Sequence, residues 1–315
     1  MSFAHRKPPI IVICGPTGIG KTAFAISLAG MFNSEIVGAD SMQVYRQMNI
    51  GTAKPTAEER TRVMHHLIDV VDPDENFDAE HYAQLAGRTI AQLHGRNIVP
   101  FVVGGTGLYI KSLINGLFDA RPADTGVRRR LKSLAETDGN HSLYQRLQRV
   151  DPAAAEKIHV NDTYRLIRAL EIHEITGKPI SDFHRSHGFK EARFRALKIG
   201  LHMDRQLMYE RINRRVEIMI DDGFIDEVRQ LLAKGYAAEL KSMQSLGYRQ
   251  IAAHLAGRVD LAEATRLMKR DTRRYAKRQM TWFRGDEEVN WMAPDDIGTA
   301  ASLIKDFLDS AGSSE

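Results

Sequence analysis

The run Gly15-Pro16-Thr17-Gly18-Ile19-Gly20-Lys21-Thr22 follows directly on the apolar stretch Ile10 to Cys14, and no other segment constrains the fold as tightly. A buried strand that ends in a glycine-rich turn and opens a helix aims several backbone N–H groups at one point, where the helix dipole also favours negative charge. The G-x-x-x-x-G-K-[ST] spacing adds the Lys21 ammonium for phosphate oxygens and the Thr22 hydroxyl as a ligand for Mg²⁺. A polyphosphate ligand is therefore expected. Phosphoryl transfer, nucleotide hydrolysis and displacement of a diphosphate all remain open.

Apolar, β-branched runs recur at Ile10 to Cys14, Glu35 to Val37, Leu67 to Val71, Ile98 to Val103 and Leu197 to Leu201, with helix-like segments between them. This alternation predicts an α/β fold: a P-loop NTPase-like parallel sheet flanked by helices. Between about Asp119 and Arg193 the strand pattern gives way to helical stretches, so residues 119–193 read as a helical insertion domain. Residues 1–118 and 194–315 then form the core, with a helical C-terminal half. Chemistry in such sheets gathers at the carboxyl ends of the strands. Asp40-Ser41 follows the second strand there, and Gly104-Gly105-Thr106-Gly107 the fourth.

Asp40 can ligate Mg²⁺ or take a proton from a nucleophile, although Asp and Ser also cap helices. The strand from Ile98 ends in glycines where an ATP-hydrolysing protein would carry an acid, which argues against hydrolysis. Such a turn lets backbone and the Thr106 hydroxyl approach a ligand, or leaves Thr106 as a cap. His65-His66 beside Asp69 and Asp72 invites a metal reading, but adjacent residues of a strand point to opposite faces, so a structural role is expected.

Charge supplies a second signal. The net charge is only +4, yet eight of the Lys and Arg residues fall between Arg266 and Arg284 against one acid, Asp271. On a helix Arg266, Arg270, Arg273, Arg274 and Lys277 share a side, as phosphate-backbone binding requires, and Tyr275, Trp282 and Phe283 offer surfaces for bases. A solvated basic face is the alternative. The single cysteine, Cys14, reads as a core residue, which excludes an internal disulfide framework. With no long apolar segment after the polar start, neither signal peptide nor membrane span is expected, and a cytoplasmic protein is.

Taken in order, these motifs resemble the tRNA dimethylallyltransferases, also called tRNA isopentenyltransferases, over nearly the full chain. Besides the phosphate loop, the resemblance runs through Asp40-Ser41-Met42-Gln43-Val44-Tyr45, Gly51-Thr52-Ala53-Lys54-Pro55, His66-Leu67-Ile68-Asp69 and Val103 to Tyr109. It continues through Arg165-Leu166-Ile167-Arg168-Ala169-Leu170-Glu171, Gly247-Tyr248-Arg249-Gln250 and Lys277 to Arg284.

The resemblance implies transfer of a dimethylallyl group from dimethylallyl diphosphate to N6 of the adenine 3′ of a tRNA anticodon. On this reading Gly15 to Lys21, Thr22 with Mg²⁺, and Arg215 hold the diphosphate, and Asp40 is the base. Thr106 helps hold the adenine. Contacts to tRNA are implied for Asp40, Ser41, Met42, Gln43, Thr106, Arg128, Tyr164, Arg165, Leu166, Ile167 and Arg168. They extend to Gln244-Ser245-Leu246-Gly247-Tyr248-Arg249 and Lys277-Arg278-Gln279-Met280-Thr281-Trp282-Phe283-Arg284. The insertion is expected over the anticodon stem, and the protein is expected to act as a monomer. The rival readings are a P-loop kinase using Asp40 on a hydroxyl and a non-catalytic RNA-binding protein.

Overall fold

Six apolar residues, all buried, make β1 (Pro9–Cys14) the centre of the molecule's sheet. The computed structural model describes residues 7–116, 124–187 and 192–310. The chain divides into two compact units, Met1–Ile114 with Arg193–Glu315, and Asn115–Ala192. The start expected for the insertion, residue 119, lies outside the described residues.

In the larger unit, β1 leads through the phosphate loop into α1 (Lys21–Met31), then β2 (Ile36–Gly38), α2 (Ala57–Arg62), β3 (His65–His66), α3 (Ala79–Gly95), β4 (Phe101–Gly104) and α4 (Gly107–Asn115). The smaller unit is helical: α5 (Thr125–Thr137), α6 (Gly139–Val150), α7 (Pro152–Ala155), α8 (Thr163–Thr176) and α9 (Ile180–His187). Its own core gathers Leu131, Leu143, Leu147, Leu166 and Leu170. The chain then returns to β5 (Arg195–Leu201), α10 (Arg205–Asp221), α11 (Phe224–Ala233), α12 (Tyr248–Leu255), α13 (Leu261–Arg284), β6 (Val289–Met292) and α14 (Ile297–Asp309).

The sheet order is β3-β2-β4-β1-β5-β6, and every pairing is parallel. Parallel pairing needs crossovers that cover the sheet's faces. Residues from α1, α10, α13 and α14 accordingly join the strands in one core. This is a P-loop-like α/β fold, and the carboxyl ends of β1, β2 and β4 lie side by side.

Two differences from the sequence reading have physical causes. The strand expected at Leu67 to Val71 sits instead at His65–His66, because the backbone is left-handed at Leu67 (φ 60°) and Asp69 (φ 58°), which breaks an extended run. The sequence reading also missed β6, since Val-Asn-Trp-Met carries no apolar run; its place at the sheet edge comes from pairing with β5. His65 and His66 have structural partners, the Val63 carbonyl and the Glu35 carboxylate.

Candidate active site

The phosphate loop is shaped by its glycines and left open by its helix. Gly18 and Gly20 have φ of 80° and 103°, a region L side chains rarely enter. Gly20 caps α1 without a side chain, so the first-turn N–H groups of the helix have no side-chain capping partner among the described residues. Ile19 is wholly buried in the core and offers the loop only its backbone. Lys21 Nζ donates to the Pro16 carbonyl at 2.8 Å, which holds the ammonium against its own loop. Burial pulls the Lys21 ammonium down to about 8; Asp40 opposes this and Arg215 adds to it.

Beside the loop lies a cavity of about 500 Å³ lined by Gly18, Gly20, Lys21 and Thr22, by Asp40, and by Arg211, Arg214 and Arg215 of α10. The three arginines share one helix face by their three- and four-residue spacing. Arg215 is expected from the sequence; Arg211 and Arg214 were missed, though the run Arg211-Ile-Asn-Arg-Arg carried the spacing. Burial pushes the Arg215 guanidinium below the ordinary arginine value, and Asp40 counters it.

A second cavity, of about 650 Å³, shares Thr17, Asp40, Thr52 and Arg215 with the first. Its walls are Ser41 and Met42, the turn Gln244 to Arg249, the apolar Ile212, Val216, Met219 and Met268, and Arg270, Arg274, Tyr275 and Arg278. Asp40 thus faces both spaces. Its Oδ1 accepts the Met42 and Gln43 N–H groups at 2.8 and 3.3 Å, so the capping geometry exists too. No donor reaches Oδ2 among the described residues. Gln43 turns its amide to the Thr52 and Ala53 carbonyls, at 3.2 and 3.0 Å, tying the Asp40 turn to the next loop. That loop is held from beneath by Glu227, whose carboxylate accepts the N–H groups of Asn49, Ile50 and Gly51 and the Tyr248 hydroxyl. Neither Glu227 nor this clasp had a signal in the sequence.

Thr106 is half-buried and lines neither cavity. Its Oγ1 accepts the Ser41 N–H at 3.0 Å and lies 3.4 Å from Ser41 Oγ. The glycines around it make room for neighbouring protein groups. A Cβ at Gly104 would lie 2.0 Å from the Ala39 oxygen, at Gly105 2.3 Å from Gln279, and at Gly107 2.1 Å from Trp282.

Several residues expected to touch RNA are buried within the protein. Gln279 is buried between the phosphate loop and Gly105. Phe283 is 4% exposed and offers no open face to a base. Tyr248 packs edge-on against Phe224 and is fully buried. Leu166 and Ile167 belong to the smaller unit's core. In that unit, Arg128 and Arg168 both donate to the buried Glu171 at 2.8 Å, Arg165 pairs with Asp162, and Tyr164 is open to solvent.

The basic stripe of α13 is likewise less uniform than its spacing. Arg266 is taken up by Glu263, Lys269 by Glu217 and Arg273 by Asn213. Arg270, Arg274 and Arg278 line the larger cavity, while Lys277, Thr281, Trp282 and Arg284 are exposed and Met280 is half-buried. Cys14 is buried, and burial pushes its thiol up to about 12, as for a core residue. No helix among the described residues is long and apolar enough to cross a membrane.

The chain is similar to known proteins. A sequence model of the family described as IPP transferase matches residues 43–286. A tRNA dimethylallyltransferase of Syntrophobacter fumaroxidans is 54% identical over 96% of this chain and 88% of its own length. One from Desulfosudis oleivorans is 52% identical over 96% of each chain. Among solved structures, the full-length tRNA isopentenylpyrophosphate transferase of Bacillus halodurans is 40% identical, with a TM-score of 0.72 over 97% of this chain and 98% of that one. A eukaryotic dimethylallyltransferase acting on tRNA is 29% identical, with a TM-score of 0.79 over 96% and 80% of the two chains.

Proposed function

The chain belongs to the IPP transferase family, and from that premise we infer that it is a tRNA dimethylallyltransferase. It transfers a dimethylallyl group from dimethylallyl diphosphate to N6 of the adenosine 3′-adjacent to the anticodon of tRNAs that read codons beginning with U. The products are N6-isopentenyladenosine and diphosphate. The observation that carries this reading is the place of Asp40, whose carboxylate faces both the phosphate-loop cavity and the cavity walled by Arg and Tyr side chains.

In the reaction the adenine N6 forms a bond to the allylic carbon as that carbon's bond to the diphosphate oxygen breaks. An exocyclic amine is a poor nucleophile, and Asp40 accepts the proton that N6 loses. Lys21, the loop N–H groups and Arg215, joined by Arg211 and Arg214, stabilise the charge collecting on the departing diphosphate. Ile212, Val216 and Met219 offer an apolar wall to the prenyl tail. Ser41, Met42, Gln244 to Leu246 and Arg249 border the space for the base, which must leave its stack to reach the allylic carbon. Thr106 supports this wall through Ser41.

The residues fit Mg²⁺ as a partner of the ligand. Thr22 lines the phosphate cavity, and its hydroxyl with diphosphate oxygens and water makes the hard-oxygen set that this ion takes. When bound it would offset charge on the diphosphate. We also propose that the helical unit, through Tyr164, Arg165 and the Arg128 and Arg168 pair, engages the anticodon stem, and that the protein works as a cytoplasmic monomer.

The test is incubation of the protein with labelled dimethylallyl diphosphate and unmodified tRNA, followed by nucleoside analysis. Labelled N6-isopentenyladenosine is expected. Failure to label tRNA, or ATP turnover with a small acceptor, would sink the reading.

A further inference from the structure

Asp271 is the one acid in a stretch with eight cations, and its side chain is only 12% exposed. Its Oδ2 accepts from Arg249 Nη2 at 2.8 Å and from Gln250 Nε2 at 3.0 Å. Its Oδ1 accepts from Arg270 Nε at 2.8 Å and lies 4.0 Å from Arg274 Nη1. The arginines arrive from two elements, Arg249 from α12 and the others from α13. All three, with Asp271, line the larger cavity that Asp40 also faces.

The arrangement exceeds what an internal ion pair requires. One carboxylate neutralises one guanidinium, so three crowded on a single acid leave an excess of positive charge that a structural role does not explain. The side chains of Arg249, Arg270 and Arg274 are 43, 37 and 65% exposed, and none has another protein acceptor among the described residues. A guanidinium carries five donors in a fixed fork, so each keeps N–H groups for a second, planar or tetrahedral anion. In this cavity the chemistry that matches is a phosphodiester oxygen pair.

We propose that Arg249, Arg270 and Arg274, gathered by Asp271, bind one backbone phosphate of the RNA whose base enters the same cavity. This rests on the tRNA-modifying reading above. Asp271 is then a positioning residue: it touches no substrate, it holds Arg249 and Arg270 by hydrogen bonds and it draws Arg274 to 4.0 Å from its carboxylate, so that less freedom is lost on binding.

The proposal and simple electrostatics predict opposite signs for Asp271→Asn. Removing a negative charge beside RNA should tighten binding if only net charge matters. If Asp271 organises the site, binding weakens despite the gained charge.

The experiment measures affinity of the full chain for an unmodified anticodon stem-loop RNA over a range of salt concentrations. Asp271→Asn is expected to weaken binding roughly tenfold and to reduce the salt slope by about 0.7, the loss of one single-strand phosphate contact. Arg274→Gln, at an exposed position that the fold does not depend on, is expected to do the same, and it decides the matter if Asp271→Asn fails to fold. A methylphosphonate placed at each phosphate around the acceptor adenosine should weaken wild-type binding at one position and leave Asp271→Asn unchanged there.

Unchanged or tighter binding by a folded Asp271→Asn, or no effect of Arg274→Gln, overturns the proposal. Dimethylallyl transfer by the wild-type protein is read separately. Its absence removes the tRNA-modifying reading and this proposal with it, whereas transfer with unaffected RNA binding by the variants removes the phosphate site alone.

Discussion

Gln279 in α13 and Thr17 in the phosphate loop are 262 residues apart and hydrogen bonded: the Gln279 Oε1 accepts the Thr17 N–H at 2.9 Å. Its Nε2 donates to the Gly105 carbonyl at 2.8 Å, so one buried amide joins the turns after β1 and β4 to the basic helix. Both turns border the site where the diphosphate is expected.

Gln279→Ala should therefore cost more than a surface change. It strips a partner from a backbone donor and a backbone acceptor in a buried place, which destabilises by about 1–3 kcal/mol. A lower thermal midpoint and weaker diphosphate binding are expected in calorimetry. If both stay at wild-type values, the amide is not holding the loop.

Asp40→Asn keeps the shape of the turn, because an amide oxygen can still accept the Met42 and Gln43 N–H groups, but it removes the base. Transfer is expected to fall roughly 10²- to 10⁴-fold, while tRNA and diphosphate affinities move far less. Single-turnover rates and equilibrium binding separate the two, and undiminished transfer would remove Asp40 from the chemistry.

Lys21 makes a pH prediction whose sign is fixed by burial. The folded ammonium titrates near 8 and the unfolded one near 10.5. Between these values the unfolded chain binds more protons, so stability of the free protein rises with pH through this window. Below about 8 both forms are protonated and the full desolvation penalty remains. Thermal midpoints of wild type and Lys21→Met should converge as pH rises from 8 to 10.5. Diphosphate affinity runs the other way and weakens above about 8, as the ammonium is lost. A flat affinity profile across that value would contradict the assignment.

Gly104→Ala tests the close approach of β4 to the segment that ends in Asp40. The added Cβ would meet the Ala39 oxygen at 2.0 Å and its carbonyl carbon at 2.3 Å, and backbone cannot swing aside as a side chain would. A loss of about 1–3 kcal/mol or more is expected, together with impaired transfer. Gly87→Ala, inside α3 with nothing within 4 Å, is the control. It should stabilise by roughly 0.4–1 kcal/mol. Equal midpoints for the two variants would mean that the strand and the Asp40 turn part easily.

The legible parts of the chain were those whose cause is local. The apolar run into Gly15 to Thr22 states a strand, a turn and a helix start within a few residues, and the structure places them so. The Asp40 turn sits where the second strand's end put it. The insertion and the long basic helix follow from periodicity over many residues. Errors arose where a neighbour distant in sequence decided. Leu67 to Val71 has strand composition, but left-handed backbone at Leu67 and Asp69 turns the Asp69 carboxylate to Lys54 and Arg60, at 2.6 and 3.1 Å.

Sequence alone determined that a loop of phosphate-loop spacing would open a parallel α/β fold and that a carboxylate would stand near it, because hydrophobic runs and glycine spacing act over short range. Only the tertiary structure decided which cations line the cavities beside it. Equal charges along α13 part into those taken by Glu263, Glu217 and Asn213 and those turned to the cavity, according to what each meets across the packed interface. The same packing buries Gln279 as a brace and leaves its neighbour Arg278 exposed, a distinction that no one-dimensional pattern carries.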